Sequence, residues 1–411
     1  MNGFKHPKGY YSLFSSFLLE RAGYYGALSL LTLFMMKKLG LDYEQAGGIY
    51  GYFLIGTMLA PFLLGYFVDL LGIKRSAIIS CGAMALGTIL LSMSSVALNI
   101  VWLYFGLSLL VLGQGFFKPA IYTLLGGIYQ DKSDPRRDSG FTLILLAVNF
   151  GALIAPIVCG FFGEKIDLGV GFLFAGLFCM SSMFLLKKVD NLKFTKHKGL
   201  TLEEKNGIYA LIVFAVFVAV IWSMIDGYSD FISSVLSNSA GELTQKLGVW
   251  TSIISILTGI VFVPFFAWFW VHAHKKGILL SATSKFIVGF LFFSLSFILF
   301  YLVFNIYQRT AIINIPLLML ATIVSSVAEL LIMPIALSYV TKLSPVKVSA
   351  FIVGLWLLLQ RSGRFITNLI PEYGKMSDEW IFAMPFILCL ISVFALKLFS
   401  KPLRRWMGNV Q

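Results

Sequence analysis

Five ionisable residues stand where the surrounding sequence is apolar: Glu20 and Arg21 in "LLERAGYYG", Lys118 in "GQGFFKPAIY", Asp226 in "VIWSMIDGY" and Glu329 in "VAELLIMPIALSYVTKLSP". A charge at the centre of a hydrocarbon layer costs about 2.5–3.5 kcal/mol on insertion scales, so it is retained there for pairing or function and faces protein or water. An ammonium opposite carboxylates can form a pair that opens when a carboxylate takes up a proton, because protonation removes the attraction. That is chemistry of binding and proton exchange, not of bond making. The chain shows no nucleophile beside a base, no metal-ligand cluster and no phosphate loop, so an enzyme is not expected.

Glu20 and Arg21 are sequence neighbours, which on a helix sets them about 100° apart. They are therefore not expected to neutralise each other face to face. Tyr24 and Tyr25, one turn on from Glu20 and Arg21, offer each a hydrogen-bond partner. Gly23 and Gly26 remove side chains and let a neighbouring backbone or a ligand approach. The alternative is a structural ion-pair belt between helices. Lys118 lies 13 residues before Asp131, and Glu329 13 residues before Lys342, about 20 Å of helix in each case. Both should reach the membrane midplane from the same side. Asp226, about twenty residues from both Lys205 and Lys246, is central too. Pro119 and Pro334 interrupt the helices beside two of these charges, as expected where backbone lines a cavity.

The elements that must position these groups are membrane spans. Hydrophobic residues make up 58% of the 411-residue chain and mean hydropathy is +0.87, outside the soluble range. Twelve apolar stretches are long enough to cross a bilayer: 14–36, 46–68, 76–98, 101–129, 138–163, 169–186, 207–236, 247–271, 280–304, 311–341, 348–370 and 380–400. The first reads as a retained span, being too charged within for a cleaved signal and having no small-residue cleavage site after it.

The net charge of +13 follows the membrane and does not form a nucleic-acid patch. With the N-terminus inside, 22 of the 32 Lys+Arg fall in inner segments and six in outer ones (Lys37, Lys38, Lys165, Lys246, Arg309, Lys375), leaving Arg21, Lys118, Arg361 and Arg364 within spans. The positive-inside rule then predicts two cytoplasmic termini. Cys81, Cys159, Cys179 and Cys389 lie in apolar runs without CxxC spacing and read as small core residues. His272 and His274 read as solvated residues at a helix end. The longest polar connection, "KKVDNLKFTKHKGLTLEEKN", separates spans six and seven. It divides the chain into a six-helix bundle (1–186), a cytoplasmic linker (187–206) and a second six-helix bundle (207–411), the arrangement of major facilitator superfamily transporters with their midplane site. "GYFVDLLGIKRS" resembles that superfamily's GxxxDxxGxxR loop, and "HAHKKG" an eroded counterpart.

Within that superfamily the chain resembles the proton-dependent oligopeptide transporter (POT, or PTR) family. "HPKG" (His6–Gly9), "LLERAGYYG" (the second half of ExxERFxYYG), "GFFKPAI", "DPRRDSGFT" (Asp134–Thr142), "AELLIMPIALSYVTKLSP" and "GLW" (Gly354–Trp356) carry the resemblance, from residue 6 to about 357. It implies a symporter importing di- or tripeptides, or peptide-like zwitterions, with protons by alternating access. Protons would be the coupling ion, without a further cofactor, in a monomer of the plasma (bacterial inner) membrane. It implies that Glu20, Arg21, Lys118 and Asp226 couple protons. Arg21, Tyr25, Lys118, Asn149, Trp222, Glu329 and Trp356 would line the substrate site, with Glu329 receiving the peptide amino terminus.

Departures accompany the match. Phe17 stands where the motif has its first glutamate, Leu28 where it has a second arginine, Gly227 follows Asp226 in place of glutamine, and Ile144-Leu145 replaces a Phe-Tyr pair. Arg361 could take over the substrate carboxylate bidentately; alternatively it and Arg364 snorkel to the outer interface near Glu372. Two other readings stay open: a transporter of another small organic or inorganic anion on the same fold, and a sensor that binds ligand without moving it.

Overall fold

The computed structural model describes residues 5–129, 131–132, 134, 136–191, 201–219, 222, 242–276, 281–310, 312–361 and 378–407. All regular structure among them is helical, without a strand. The helices are α1 (Tyr10–Lys37), α2 (Tyr43–Leu71), α3 (Ile73–Ala97), α4 (Ile100–Ile128), α5 (Arg136–Ala155), α6 (Phe161–Lys165), α7 (Leu168–Lys187), α8 (202–219), α9 (Glu242–Lys275), α10 (Ala282–Thr310), α11 (Ile315–Leu343), α12 (Ser349–Arg361), α13 (Asp378–Leu398) and α14 (Ser400–Met407). A π-helical segment, Pro156–Gly160, joins α5 to α6 into one continuous 30-residue span; Pro156 lacks the N–H that an unbroken α-helix would use there.

Among the described residues eight helices are long and apolar enough to cross a membrane, nine if the bent α13–α14 pair is one span. Twelve were expected. Of the others, α1 has full span length, 28 residues, but carries Glu20 and Arg21; 207–236 and 348–370 run partly outside the described residues.

Helix ends follow local chemistry. Asp42 caps α2 by accepting from Gln45 N–H at 2.7 Å, and the Gln45 side chain accepts from Asp42 N–H at 3.3 Å, a reciprocal capping box. Gly72, at φ +97°, makes the tight turn into α3, a conformation that favours glycine.

Two compact units divide the chain: residues 1–199 with 344–358, and 200–343 with 359–411. In the first, α3 packs on α4 and α7, α1 on α5 and α7, and α2 on α4. Because lipid tails are as apolar as leucine, such helices associate through close packing over small residues. Gly87 of α3 and Gly106 of α4 illustrate it: a Cβ on either would stand 2.8 Å from the other's carbonyl oxygen. Gly23 and Gly26 do the same for α1, lying against Ala175 and Cys179 of α7 and Cys159 of the π segment. Their space is taken by neighbouring helices. All four cysteines are free and buried. In the second unit α10 packs on α11 and α13, and α11 on α9.

Candidate functional site

The middle of α1 holds a buried polar cluster. Contrary to the expectation from helical spacing, Glu20 and Arg21 do pair: Arg21 Nε donates to Glu20 Oε2 and Nη2 to Oε1, both at 2.6 Å. Neighbouring Cβ atoms do diverge, but the guanidinium sits at the end of a long flexible arm that folds back across the helix surface. Gln114 of α4 completes the set. Its Oε1 accepts from Arg21 Nη2 at 2.8 Å and its Nε2 donates to Glu20 Oε1 at 2.7 Å. Glu20 and Gln114 are fully buried and Arg21 is 4% exposed.

The tyrosines play a different part from the one expected. Arg21's guanidinium carbon lies 5.0 Å from the Tyr24 ring centroid and 5.8 Å from that of Tyr25, with Phe17 at 5.5 Å and Phe117 at 5.9 Å. They surround the cation with π-faces. Phe17, where a carboxylate was expected, stacks on Phe117 at 5.7 Å and closes this aromatic wall. On the α5 side Gly151 lies against Arg21, and a Cβ there would stand 2.6 Å from Arg21 Cβ. Asn149, half-buried, is two residues earlier on that helix. Lys118, half-buried, is one turn beyond Gln114 along α4. The structure thus gathers Glu20, Arg21 and Tyr25 into one cluster on α1. Sequence reasoning passed over Gln114, although an amide one turn before Lys118 in an apolar run was a usable signal.

Among the other candidates of the first unit, Trp356 of α12 is buried and its indole Nε1 has no hydrogen-bond partner. In the second unit Trp222 is buried and meets Phe293 edge-on at 6.1 Å. Glu329 is exposed on α11 between buried Ala328 and Leu330. Arg361, exposed, ends α12. Asp226, Gly227 and Arg364 lie outside the described residues. The His272 ring lies tilted against that of Trp268, centroids 4.1 Å apart.

The remaining motifs of the first unit organise helix ends. Asp69, from the "GYFVDLLGIKRS" loop motif, accepts from Ala350 N–H at 3.0 Å and Phe351 N–H at 2.9 Å, with Oδ1 and Oδ2 respectively. A carboxylate there complements the positive end of α12. The "HPKG" and "DPRRDSGFT" segments meet: His6 Nδ1 is 2.8 Å from Tyr129 Oη, Tyr10 donates to Gly140 O at 2.9 Å, and Arg136 donates to Lys5 O at 2.9 Å. Burial, aided by the Arg136 charge, lowers the His6 pKa to about 4. Burial would raise Asp134, but its hydrogen bonds to Arg136 hold its carboxyl below the ordinary value.

Residues 13–368 match the Major Facilitator Superfamily. Over 99% of this chain and 96% of theirs, the "Uncharacterized transporter YclF" of Bacillus subtilis and the "Peptide transporter YePEPT" of Yersinia enterocolitica are each 25% identical. "Dipeptide and tripeptide permease A" of Erwinia pyrifoliae is 26% identical over 92% of this chain and 88% of its own. Among solved structures, a peptide transporter POT in complex with sulfate superposes with TM-score 0.65 at 23% identity, covering 99% of this chain and 97% of that one. The human organic anion transporter MFSD10 (TETRAN) gives 0.67 at 14% identity over 95% and 100%. These likenesses bear out the resemblance of the sequence motifs to the POT family.

Proposed function

The chain belongs to the Major Facilitator Superfamily, and we propose that it is a proton-coupled symporter that imports di- or tripeptides, or peptide-like zwitterions, by alternating access. Its family and relatives are transporters, and several relatives are named for peptides. The observation that carries the reading is the desolvated Glu20–Arg21 pair, with Lys118 one turn past the glutamine that completes it. Buried ion pairs are poor stabilisers compared with apolar packing, so a transport chain that keeps one at mid-helix is keeping it for function.

In this reading Glu20, Arg21, Lys118 and Asp226 carry the proton coupling. A zwitterionic peptide needs an anion at one end and a cation at the other. Glu329 supplies the first; its exposure on a membrane-spanning helix fits a water-filled cavity, since a carboxylate in lipid is costly. Lys118, Arg21 and Arg361 supply the second, and Tyr25, Asn149, Trp222 and Trp356 are the further substrate contacts of this reading. Substrate biases the conformational equilibrium only by contacting these groups differently in the two states. The distribution of Lys and Arg supports an inner-membrane protein with both termini cytoplasmic, acting as a monomer with protons as the coupling ion.

A second reading, a transporter of an organic or inorganic anion on the same fold, has the anion drawn by Arg21, Lys118 and Arg361, with Phe17 and Leu28 departing from the peptide motif. Purified protein in proteoliposomes separates the two. An inward proton gradient should drive labelled dipeptide into the vesicles, with unlabelled dipeptide competing. Uptake of a labelled organic anion that dipeptides do not inhibit would favour the second reading.

A further inference from the structure

The sequence around residue 114 is Gly-Gln-Gly, and the structure gives each glycine a use. A Cβ on Gly113 would stand 3.0 Å from Ser80 O of α3, and one on Gly115 3.0 Å from Ala60 O of α2. Both lie below ordinary van der Waals separation, so α4 is seated against α2 and α3 on either side of Gln114. Met84 of α3 takes up the second amide proton, Gln114 Nε2 to Sδ at 3.3 Å. Gln114 is therefore held from three directions with its amide turned toward α1.

That amide reads both members of the ion pair. It accepts from Arg21 and donates to Glu20, and the opposite amide orientation would set N–H₂ against the guanidinium and C=O against the carboxylate. Sequence neighbours on a helix have no helical spacing that locks them together; a third point on another helix makes their geometry determinate. We infer that Gln114 is a positioning residue: it fixes the Glu20–Arg21 pair to α4 and so sets the register between that pair and Lys118 one turn on. Phe17, where the motif has its first glutamate, presents an aromatic ring to Phe117 instead. Other titratable groups around the pair are Tyr24 and Tyr25 on α1, Cys81 on α3 and Cys179 on α7.

For transport the inference rests on the symport reading; for geometry it stands alone, and the test keeps the two apart. Gln114→Glu is nearly isosteric. Protonated, the introduced carboxyl donates to Glu20 and accepts from Arg21 as the amide does; ionised, it sets two carboxylates side by side. The purified variant's melting temperature should fall below wild type at about pH 8, and the gap should narrow as pH falls and close only below the unfolded glutamate's value of about 4.3. Its rate of labelled dipeptide counterflow, measured without a pH gradient and per folded transporter, should recover over the same range. Gln114→Leu should lose about ten- to a hundredfold in counterflow at every pH. A melting deficit of Gln114→Glu that is independent of pH, or wild-type counterflow in Gln114→Leu, overturns the inference. If wild-type protein itself shows no counterflow, the symport reading fails, and the pH dependence of melting still decides the role of Gln114.

Discussion

One ion pair lies near the middle of α1 and another at its C-terminal end. Glu20–Arg21 is desolvated, bidentate and completed by Gln114, with side chains 0% and 5% exposed. Lys38–Asp167 is about one-third exposed on both sides. Asp167 also caps α7 through Gly169 N–H at 2.8 Å and accepts from Ser95 of α3 at 3.0 Å; the hydrogen bond from Lys38 first, and then these two, hold its carboxyl below the ordinary value. The same charges, a carboxylate and a cation, make two different devices. Water screens the second, which adds little beyond ordering three helix ends. The first is shielded from water, so its value depends on every partner being present.

Removing one partner from each pair should expose that difference. Arg21→Leu leaves the Glu20 carboxylate buried without its counter-charge and should cost about 3–5 kcal/mol, read as a large fall in melting temperature of the purified protein and loss of uptake. Gly23→Val tests the packing that holds α1 beside the cluster. A Cβ added there would lie 2.7 Å from Ala175 O, so overpacking should cost about 1–3 kcal/mol in the same assay, without a change in pH profile.

His6 should give a smaller and pH-dependent effect. Its pKa falls from 6.5 to about 4 on folding, so the unfolded chain binds its proton first as pH drops. The stability that neutral His6 contributes is present above about pH 6.5 and is lost as pH falls toward 4. His6→Gln should flatten the fall in melting temperature across that window. Smallest of all, Asp167→Asn should cost about 0.2–1 kcal/mol, and part of that cost should vanish at high salt. An Asp167→Asn loss as large as that of Arg21→Leu would erase the distinction between the two pairs.

The sequence made the membrane class, the helix positions and the charged residues of the first unit readable, because apolar length and misplaced charge are local signals. "LLERAGYYG" marked the right turn of α1. What it could not reveal was where long side chains would fold. Residue spacing describes Cβ directions, and the arm of Arg21 overrides a 100° divergence to reach Glu20. Gln114 escaped notice for a related reason: a neutral amide in an apolar run announces nothing until the carboxylate it serves is placed opposite. Gly113 and Gly115 were not singled out in the sequence; in the fold they seat α4 against α3 and α2. Asp69 was legible as part of a loop motif, but not its hold on the first N–H groups of α12, 281 residues away.

The central claim, that this chain moves peptide-like zwitterions with protons, is tested most directly by reconstituting it into vesicles with an acidic exterior and following a labelled dipeptide. Accumulation above the external concentration, abolished by a protonophore and by Lys118→Gln, is the predicted result. Dipeptide entry that only equilibrates and ignores the pH gradient, or no entry while the protein is folded and inserted, would contradict it.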